Sequence, residues 1–209
     1  GFSMILTIVF GVGSGVLMAV KKDRLLDHVL GTFSTVALSL PGFWIAIVLI
    51  FIFAEQWKIL PSSGISDGSG FILPAITLAL PSIGVCARLT RSAILDEIGR
   101  QYMTVADAKG MSRRRAVIRH AFGNALIPII TYLGNHMAGI IGGASIVETI
   151  FAIPGIGSYA IAGVQSKDYY VVQAYVLFSG CIYVLTNILI DLIYIALDPK
   201  IRAGEAVES

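Results

Sequence analysis

The chain alternates long apolar runs with short polar segments along its whole length. Five runs come close to, or exceed, the roughly 20 residues that a helix needs to cross a bilayer core of about 30 Å. They cover approximately residues 2–20, 29–54, 71–87, 121–147 and 171–197. Because lipid offers no hydrogen bonds to an exposed backbone, each run must be helical. The pattern predicts an all-α, polytopic membrane protein with about five transmembrane helices.

Prolines and glycines within these runs indicate where helices bend or pack closely. The second run is long enough to tilt or kink, and Pro41 supplies a cause for a kink. The same reasoning predicts kinks at Pro74, Pro81 and Pro128. Three glycines in the first run are spaced somewhat like a phosphate-binding loop, but small residues inside an apolar run favour helix packing. They are Gly11, Gly13 and Gly15.

Composition supports the assignment to a membrane. Hydrophobic residues make up 56% of the chain and charged residues 13%, with a mean hydropathy of +0.83. About a quarter of the residues of soluble domains are charged, so lipid is the expected solvent. The net charge of +2 is too small to indicate nucleic-acid binding. Both cysteines lie inside apolar runs without further ligands at metal-binding spacing, which argues against a disulfide framework and a zinc site.

The distribution of Lys and Arg predicts the orientation in the membrane. Thirteen of these residues fall in segments 21–28 and 88–120 and in the C-terminal tail, against two, Lys58 and Lys167, in the alternate loops. The positive-inside rule places the two segments and the C-terminus in the cytoplasm. The first residue then lies outside, with no leader pattern after it. We therefore expect an earlier span before this sequence, giving six in the full-length protein.

Segment 88–120 has a pattern of its own. Apolar residues recur at helical spacing from Ile94 to Val105, which predicts an amphipathic helix. Lys109 and Gly110 form a helix-stop signal, and Ser112 can cap a second helix. Residues 113–115 are three arginines in the first turn of that helix, where the helix dipole disfavours cations. Two explanations stay open: they face lipid headgroups, or they also meet acidic groups on a partner protein.

The same segment resembles a known family. The run TVADAKGMSRRRAVIRHAFGNALIP, residues 104–128, resembles the cytoplasmic coupling loop of ABC-importer permeases of the dipeptide, oligopeptide and nickel branch. Three further stretches resemble the same branch in the same order: IVETIFAIPGIG, KDYYVVQAYVLF and NILIDLIYIALDPKIR. The resemblance covers essentially the whole chain and about the C-terminal two-thirds of such a permease. Where the wider superfamily has Glu-Ala-Ala, this chain has Thr-Val-Ala at 104–106.

The resemblance implies a type I ABC-importer permease fold and a domain organisation for the chain. Residues 1–209 would form a single, N-terminally truncated permease domain, with a coupling segment at about 88–120 and an external loop at about 148–170. It implies that nine residues couple the chain to an ATPase: Thr104, Ala106, Asp107, Ala108, Lys109, Gly110, Arg113, Arg114 and Arg115.

Partners and cofactors follow from the same resemblance. We expect a multi-pass protein of the inner cell membrane that pairs with a second, homologous permease, two ATPase subunits and an external substrate-binding protein. The chain has no G-x-x-x-x-G-K-[ST] motif, so ATP and Mg are expected in the ATPase subunits and no cofactor, metal or catalytic residue in this chain.

Polar residues at membrane depth are candidates for the translocation pathway, because burying them is costly. Asn135 and His136 lie near the middle of the fourth run, and Asp191 lies in the last. For His136 we favour a hydrogen bond to a neighbouring helix over a role in metal-chelate transport. Asp191 is expected to have a partner on a neighbouring helix or a place near the cytoplasmic interface. The apolar external segment predicts a gate that includes Glu148, Phe151, Pro154, Gly155 and Ile156.

Alternatives from other classes remain open at this point. A stand-alone secondary transporter or channel explains the spans and the polar residues but not the coupling segment. A membrane-embedded enzyme needs a nucleophile with a base, or a metal set, and three scattered histidines supply neither. The substrate, whether dipeptide, oligopeptide, nickel or a metal chelate, is not decided by this sequence.

Overall fold

All regular secondary structure is helical in the computed structural model of the chain, which describes residues 1–65, 68–100, 121–142 and 144–197. The elements, in chain order, are α1 (Phe2–Val20), α2 (Leu25–Ser39), α3 (Gly42–Gln56), α4 (Ile72–Ile98), α5 (Phe122–Ile141), α6 (Ser145–Ile150), α7 (Ile156–Gln165) and α8 (Tyr169–Leu197). A short 3₁₀ turn, Ser69–Phe71, leads into α4. Each predicted run thus contains a helix, and the all-α fold is confirmed.

Three helical stretches are long and apolar enough to cross a membrane: Phe2–Val20, Ser69–Ile98 and Tyr169–Ile193. The pair of α2 and α3 would count as a fourth if it forms one span. The fourth predicted run, 121–147, is shorter as a helix, because α5 ends at Ile141. Two asparagines and a histidine also make α5 less apolar than those three stretches.

The second predicted run, 29–54, is broken rather than tilted or kinked. Helices α2 and α3 meet at an angle of 100°. Leu40 and Pro41 between them are extended, with ψ angles of 130° and 136°. Proline disfavours helical backbone at the preceding residue, so the helix ends just before it. The prediction located the cause correctly at Pro41, but the bend is a break of 100° between two helices and not a kink within one.

The other prolines have different consequences. Pro81 and Pro128 lie inside α4 and α5. Pro74 lies in the first turn of α4, where the missing backbone N–H has no partner to lose within the helix. The sequence pattern predicted a kink at each of the three. Their positions differ, because Pro74 lies in a first turn whereas Pro81 and Pro128 lie in helix interiors.

Helix α4 is the centre of the described structure and contacts α1, α2, α3, α5 and α6. Near its C-terminal end, Ala93 and Ile94 pack with Ala19 of α1 and with the start of α5. Near its N-terminal end, Leu73 packs with Ala46 of α3 and with buried residues of α6 and the turn after it. The core is therefore a column of contacts along a single helix.

Two glycines of α1 let it approach α4 closely. A Cβ at Gly15 would lie 2.6 Å from the carbonyl oxygen of Ala87 and 2.5 Å from Cβ of Thr90. A Cβ at Gly11 would lie 2.8 Å from Cβ of Cys86. Gly13 faces away and has nothing within 4 Å. The packing interpretation of these glycines is confirmed for Gly11 and Gly15.

The start of the predicted coupling segment differs from expectation. Residues 88–98 form the last turns of α4 rather than a loop, and Gly99 follows the helix end at Ile98. The amphipathic helix predicted from Ile94 onwards is therefore not a separate element over residues 94–98. Its remaining part, beyond residue 100, lies outside the described residues.

The close contact between α1 and α4 can be tested by adding one methyl group. Gly15→Ala forces this methyl against backbone and side-chain atoms of α4, and overpacking of this kind costs about 1–3 kcal/mol. We expect a clearly lower melting temperature of the purified protein in detergent. Gly13→Ala is the matched control in the same helix, and we expect no loss of stability. An equal effect of the two substitutions would contradict this packing.

Candidate functional site

The predicted coupling residues, Thr104 to Arg115, lie outside the described residues, but both ends of their segment are defined. Glu97, in the last turn of α4, is 8% exposed. Its carboxylate accepts a hydrogen bond from Nδ2 of Asn124 in α5, at 3.1 Å, and forms an ion pair with Nε of Arg100, at 2.9 Å. One buried carboxylate thus joins the helix that enters the segment to the helix that leaves it.

Apolar packing supports this contact from the membrane side. Ala93 and Ile94 of α4 form a cluster with Ala121 and Ala125 at the start of α5. Small side chains bring the two helix backbones close together, as is common where membrane helices pack. The ends of α4 and α5 are consequently held by a hydrogen bond at the tip and by packing below it.

An ion pair that the sequence reasoning missed ties α2 to α4. Nε and Nη2 of Arg91 donate to the two carboxylate oxygens of Asp27 at 2.7 and 2.8 Å. The backbone N–H of Asp23 also donates to Asp27, at 3.0 Å. The Asp27 side chain is 5% exposed and that of Arg91 33%. A planar guanidinium that grips both oxygens fixes the relative rotation of the two helices as well as their distance.

A signal for this pair was present in the sequence. Asp27 is an acidic residue in a segment dominated by Lys and Arg, next to an apolar run that cannot leave it unpaired. Arg91 was counted among the basic residues of a loop because the third run was taken to end at residue 87. The structure continues that helix to Ile98, and this places Arg91 on its surface against α2.

His136 lies between α4 and α5 in a small polar cluster. Its Nδ1 is 3.3 Å from the hydroxyl oxygen of Ser82. The ring stacks with that of Tyr132 at a centroid distance of 6.1 Å, and the Tyr132 hydroxyl donates to the Ser82 carbonyl at 3.2 Å. The favoured explanation, a histidine bonded to a neighbouring helix, fits this geometry. Nε2 of His136 is buried and has no hydrogen-bond partner in the described part of the chain.

The other membrane-depth candidates are less connected. Asn135 is half-buried and makes no side-chain hydrogen bond among the described residues. Asp191 is exposed, and the described residues provide neither the expected partner on a neighbouring helix nor an ion pair. Asn187, one turn earlier, donates to the carbonyl of Tyr183 instead. Asp191 does lie near the end of the apolar stretch Tyr169–Ile193, which agrees with the alternative expectation of a place near the interface.

The predicted external loop, 148–170, contains the whole of helix α7 and the turn that precedes it. Glu148 of α6 accepts a hydrogen bond from the backbone N–H of Ser158, at 2.8 Å, in the first turn of α7. A carboxylate at this place satisfies a free helix N–H and interacts favourably with the helix dipole. Gly155 leaves room for it, because a Cβ there would overlap the Glu148 carboxylate.

The proposed gate residues do not share one environment. Phe151 is 1% exposed and packs with Ala46, Leu73 and Val147, and its carbonyl accepts the N–H of Gly64 at 2.9 Å. It is a core residue of this end of the bundle. Ile156, at the start of α7, is 40% exposed. The turn between them is therefore anchored at Phe151 and open at Ile156.

Within residues 1–65, 68–100, 121–142 and 144–197, no three His, Cys, Asp or Glu side chains come together in a way that could hold a metal ion. The groups brought together by the structure are an ion pair, a carboxylate–amide contact, a capped helix end and one polar cluster. They are suited to positioning helices in lipid.

Comparison with known proteins places these features in a family. The model of the family described as binding-protein-dependent transport system inner membrane component matches residues 11–203. A probable peptide ABC transporter permease from Sinorhizobium fredii, y4tP, is 39% identical over 208 residues. The glutathione transport system permease GsiC of Escherichia coli K12 is 34% identical over 200 residues. Both alignments cover 96% of this chain, which spans 66% and 65% of the length of these relatives.

A solved structure shares the fold. The inward-facing MetNI methionine ABC transporter matches with a TM-score of 0.74 at 17% sequence identity. The match covers 94% of this chain and 89% of the solved one. The arrangement of the helices, as distinct from any activity, is that of an ABC-importer permease.

The role of Glu148 predicts a local effect of its removal. Glu148→Ala takes away the acceptor of the Ser158 N–H, and the loss of a helix cap of this kind costs about 1 kcal/mol. We expect hydrogen exchange at the first turn of α7 to become several-fold faster. Thr149→Ala is the control, since among the described residues its hydroxyl bonds only to the carbonyl of Ser145 within α6. Unchanged exchange in Glu148→Ala would show that the carboxylate does not hold this helix end.

Proposed function

The chain belongs to the family of binding-protein-dependent transport system inner membrane components, and on this basis we propose that it is the transmembrane permease subunit of an ATP-driven importer for peptides. It alternates between inward- and outward-open states as ATPase subunits move. The observation that carries the proposal is the contact between Glu97 and Asn124. It joins the end of α4 to the start of α5, the two helices that flank the basic part of the predicted coupling segment.

The proposed coupling follows from this junction. A segment that docks on an ATPase transmits force only if the helices at its ends respond together. The carboxylate of Glu97 and the apolar cluster beneath it provide such a connection. Within the segment, Gly110 permits close backbone approach to a partner, and Arg113 to Arg115 supply charge for acidic groups on it. A short helix seated in a groove of a partner is a common mode of such contacts.

The proposed assembly contains a second homologous permease, two ATPase subunits that bind ATP and Mg, and an external substrate-binding protein. The family description, with its reference to a binding protein and an inner membrane, supports the last partner and the membrane location. The excess of Lys and Arg supports a cytoplasmic C-terminus and coupling segment. The turn after Phe151 remains our candidate for an external gate, with Ile156 as its accessible residue.

The substrate class is proposed from the relatives. Their names refer to peptide and glutathione transport, which favours peptides over nickel or metal chelates for this chain. His136 was the one residue that suggested a metal, and its Nδ1 is already beside Ser82. The ligand retained by the binding protein that works with this permease decides between these classes.

A stand-alone transporter or channel is the alternative function. This alternative also accounts for the polar cluster at His136 and for the apolar helices. It does not account for a basic segment whose two ends are joined by a contact between α4 and α5. Dependence of uptake on a separate ATPase distinguishes the two functions.

The coupling role of Gly110 can be tested in the assembled transporter. Gly110→Pro removes a backbone N–H and restricts the close approach to the ATPase, so we expect both co-purification with the ATPase and ATP-dependent uptake to be lost. Amounts of permease in the membrane should stay unchanged. Gly123→Ala is the control, because a Cβ there has nothing within 4 Å. Normal uptake by Gly110→Pro would overturn the assignment of this segment.

The junction between α4 and α5 can be tested by exchanging its partners. In Glu97→Gln, one amide must serve both Asn124 and Arg100, and in Asn124→Asp two carboxylates face each other. A hydrogen bond to a charged group contributes about 1.5–3 kcal/mol, so we expect each variant to reduce uptake per ATP hydrolysed by about tenfold.

The double variant, Glu97→Gln with Asn124→Asp, restores an amide–carboxylate pair in the opposite direction. We expect it to recover much of the transport per ATP hydrolysed, although Arg100 must find a new position. Independent, additive losses in the double variant would show that the two residues do not act through their contact.

A further inference from the structure

Helix α2 has a polar stripe that the proposed function does not explain. His28, Thr32, Thr35 and Ser39 follow at intervals of four, three and four residues, so they lie on one face, and all four are exposed. The adjacent face is apolar and also exposed, through Val29, Phe33 and Val36. A helix that presents two such different exposed faces is expected to separate two different environments.

The polar stripe faces an open cavity of about 570 Å³ between α2 and α4. From α2 the lining includes His28, Thr32 and Thr35, and from α4 it includes Arg88, Arg91 and Ser92. The α4 residues lie at i, i+3 and i+4, which places them on one face of that helix. Lipid chains do not suit a cavity lined by hydroxyls, an imidazole and guanidinium groups, whereas water does.

The charges of the cavity are unbalanced. Asp27 also lines the cavity, but both of its oxygens are held by Arg91. Arg88, one turn before Arg91, is exposed and has no ion-pair partner among the described residues. One guanidinium is therefore left to act on whatever occupies the cavity.

We propose that this cavity is a water-filled part of the substrate passage and that Arg88 makes it a binding site for carboxylate groups, such as the free C-terminus of a peptide. The assignment to the passage rests on the proposed function, whereas the water and the positive potential rest on the cavity itself. Arg88 presents a planar donor pair that matches a carboxylate, and the hydroxyl groups of Thr32 and Ser92 can donate further hydrogen bonds to it.

The potential of the cavity can be measured with a single cysteine. Thr32→Cys is introduced into an assembled transporter in which the exposed Cys181 is replaced by Ala, while the buried Cys86 is kept. The protein is then treated with an anionic or a cationic methanethiosulfonate of similar size. We expect both reagents to react, with the anionic one faster. Arg88→Gln should lower the ratio of the two rates on the order of threefold to tenfold, as expected for a unit charge at cavity distances.

Two controls define this measurement. Lys58→Gln removes a cation that follows α3. Because α3 packs near Leu73, at the end of α4 away from the cavity, this substitution should leave the ratio of the two rates unchanged. Val36→Cys reports the apolar face of α2 and should resist both reagents in the membrane. No reaction at position 32, as in a lipid-filled cavity, or a ratio insensitive to Arg88→Gln, would overturn the proposal.

The preference for carboxylates is tested by protection. Alanyl-alanine should slow the modification of Thr32→Cys more than its C-terminal amide does, and Arg88→Gln should abolish the difference. Equal protection by the two peptides would overturn the carboxylate assignment. Cysteine labelling does not require transport. If the parent transporter showed no ATP-dependent uptake, the proposed function would be wrong, while the ratio of the two labelling rates would still test the charge of the cavity.

Discussion

Close steric contact along α4 is the constraint on which the other features depend. Helices α1, α2, α3, α5 and α6 all contact α4, and α1 approaches it closely only because two of its glycines lack a side chain where α4 passes. In lipid there is little hydrophobic gain from bringing apolar helices together, so packing at short range and a few polar contacts must hold the bundle. Gly15 against Ala87 and Thr90 is the tightest of these approaches along α1.

Among the described residues, the charged contacts of α4 are concentrated at one end of that column. The pair of Asp27 with Arg91 and the junction of Glu97 with Asn124 lie on the last three turns of α4 and tie it to α2 and α5. The opposite end is held by apolar packing around Leu73 and Phe151. Directional, charge-assisted contacts fix orientation as well as distance. The end of α4 that leads into the proposed coupling segment is thus fixed in orientation as well as in distance, which suits the proposed transmission of movement.

The sequence predicted the helices well and the contacts between them poorly. Apolar length located a helix in every predicted run, because an exposed backbone in lipid must satisfy its own hydrogen bonds. The break at Pro41 was underestimated, since a pattern cannot distinguish a kink from a 100° turn. Phe151, a residue of the predicted gate, packs against α3 and α4, a contact that the apolar pattern did not indicate. Long-range pairs such as Asp27 with Arg91, 64 residues apart, depend on helix rotation, which the apolar pattern alone does not determine.

Arg88 and Arg91 show why residue type and spacing do not settle function. They are identical side chains one turn apart on the same face of α4, and the pattern counted both as basic residues of a loop. Asp27 lies opposite only one of them and neutralises it. Among the described residues, Asp27 is the only carboxylate of the cavity lining, and the contact that locks α2 to α4 removes it from competition for Arg88. The ion pair of Asp27 with Arg91 therefore leaves Arg88 as an uncompensated positive charge in the cavity. Removing Asp27 would change the charge of the cavity as well as the packing of α2 against α4.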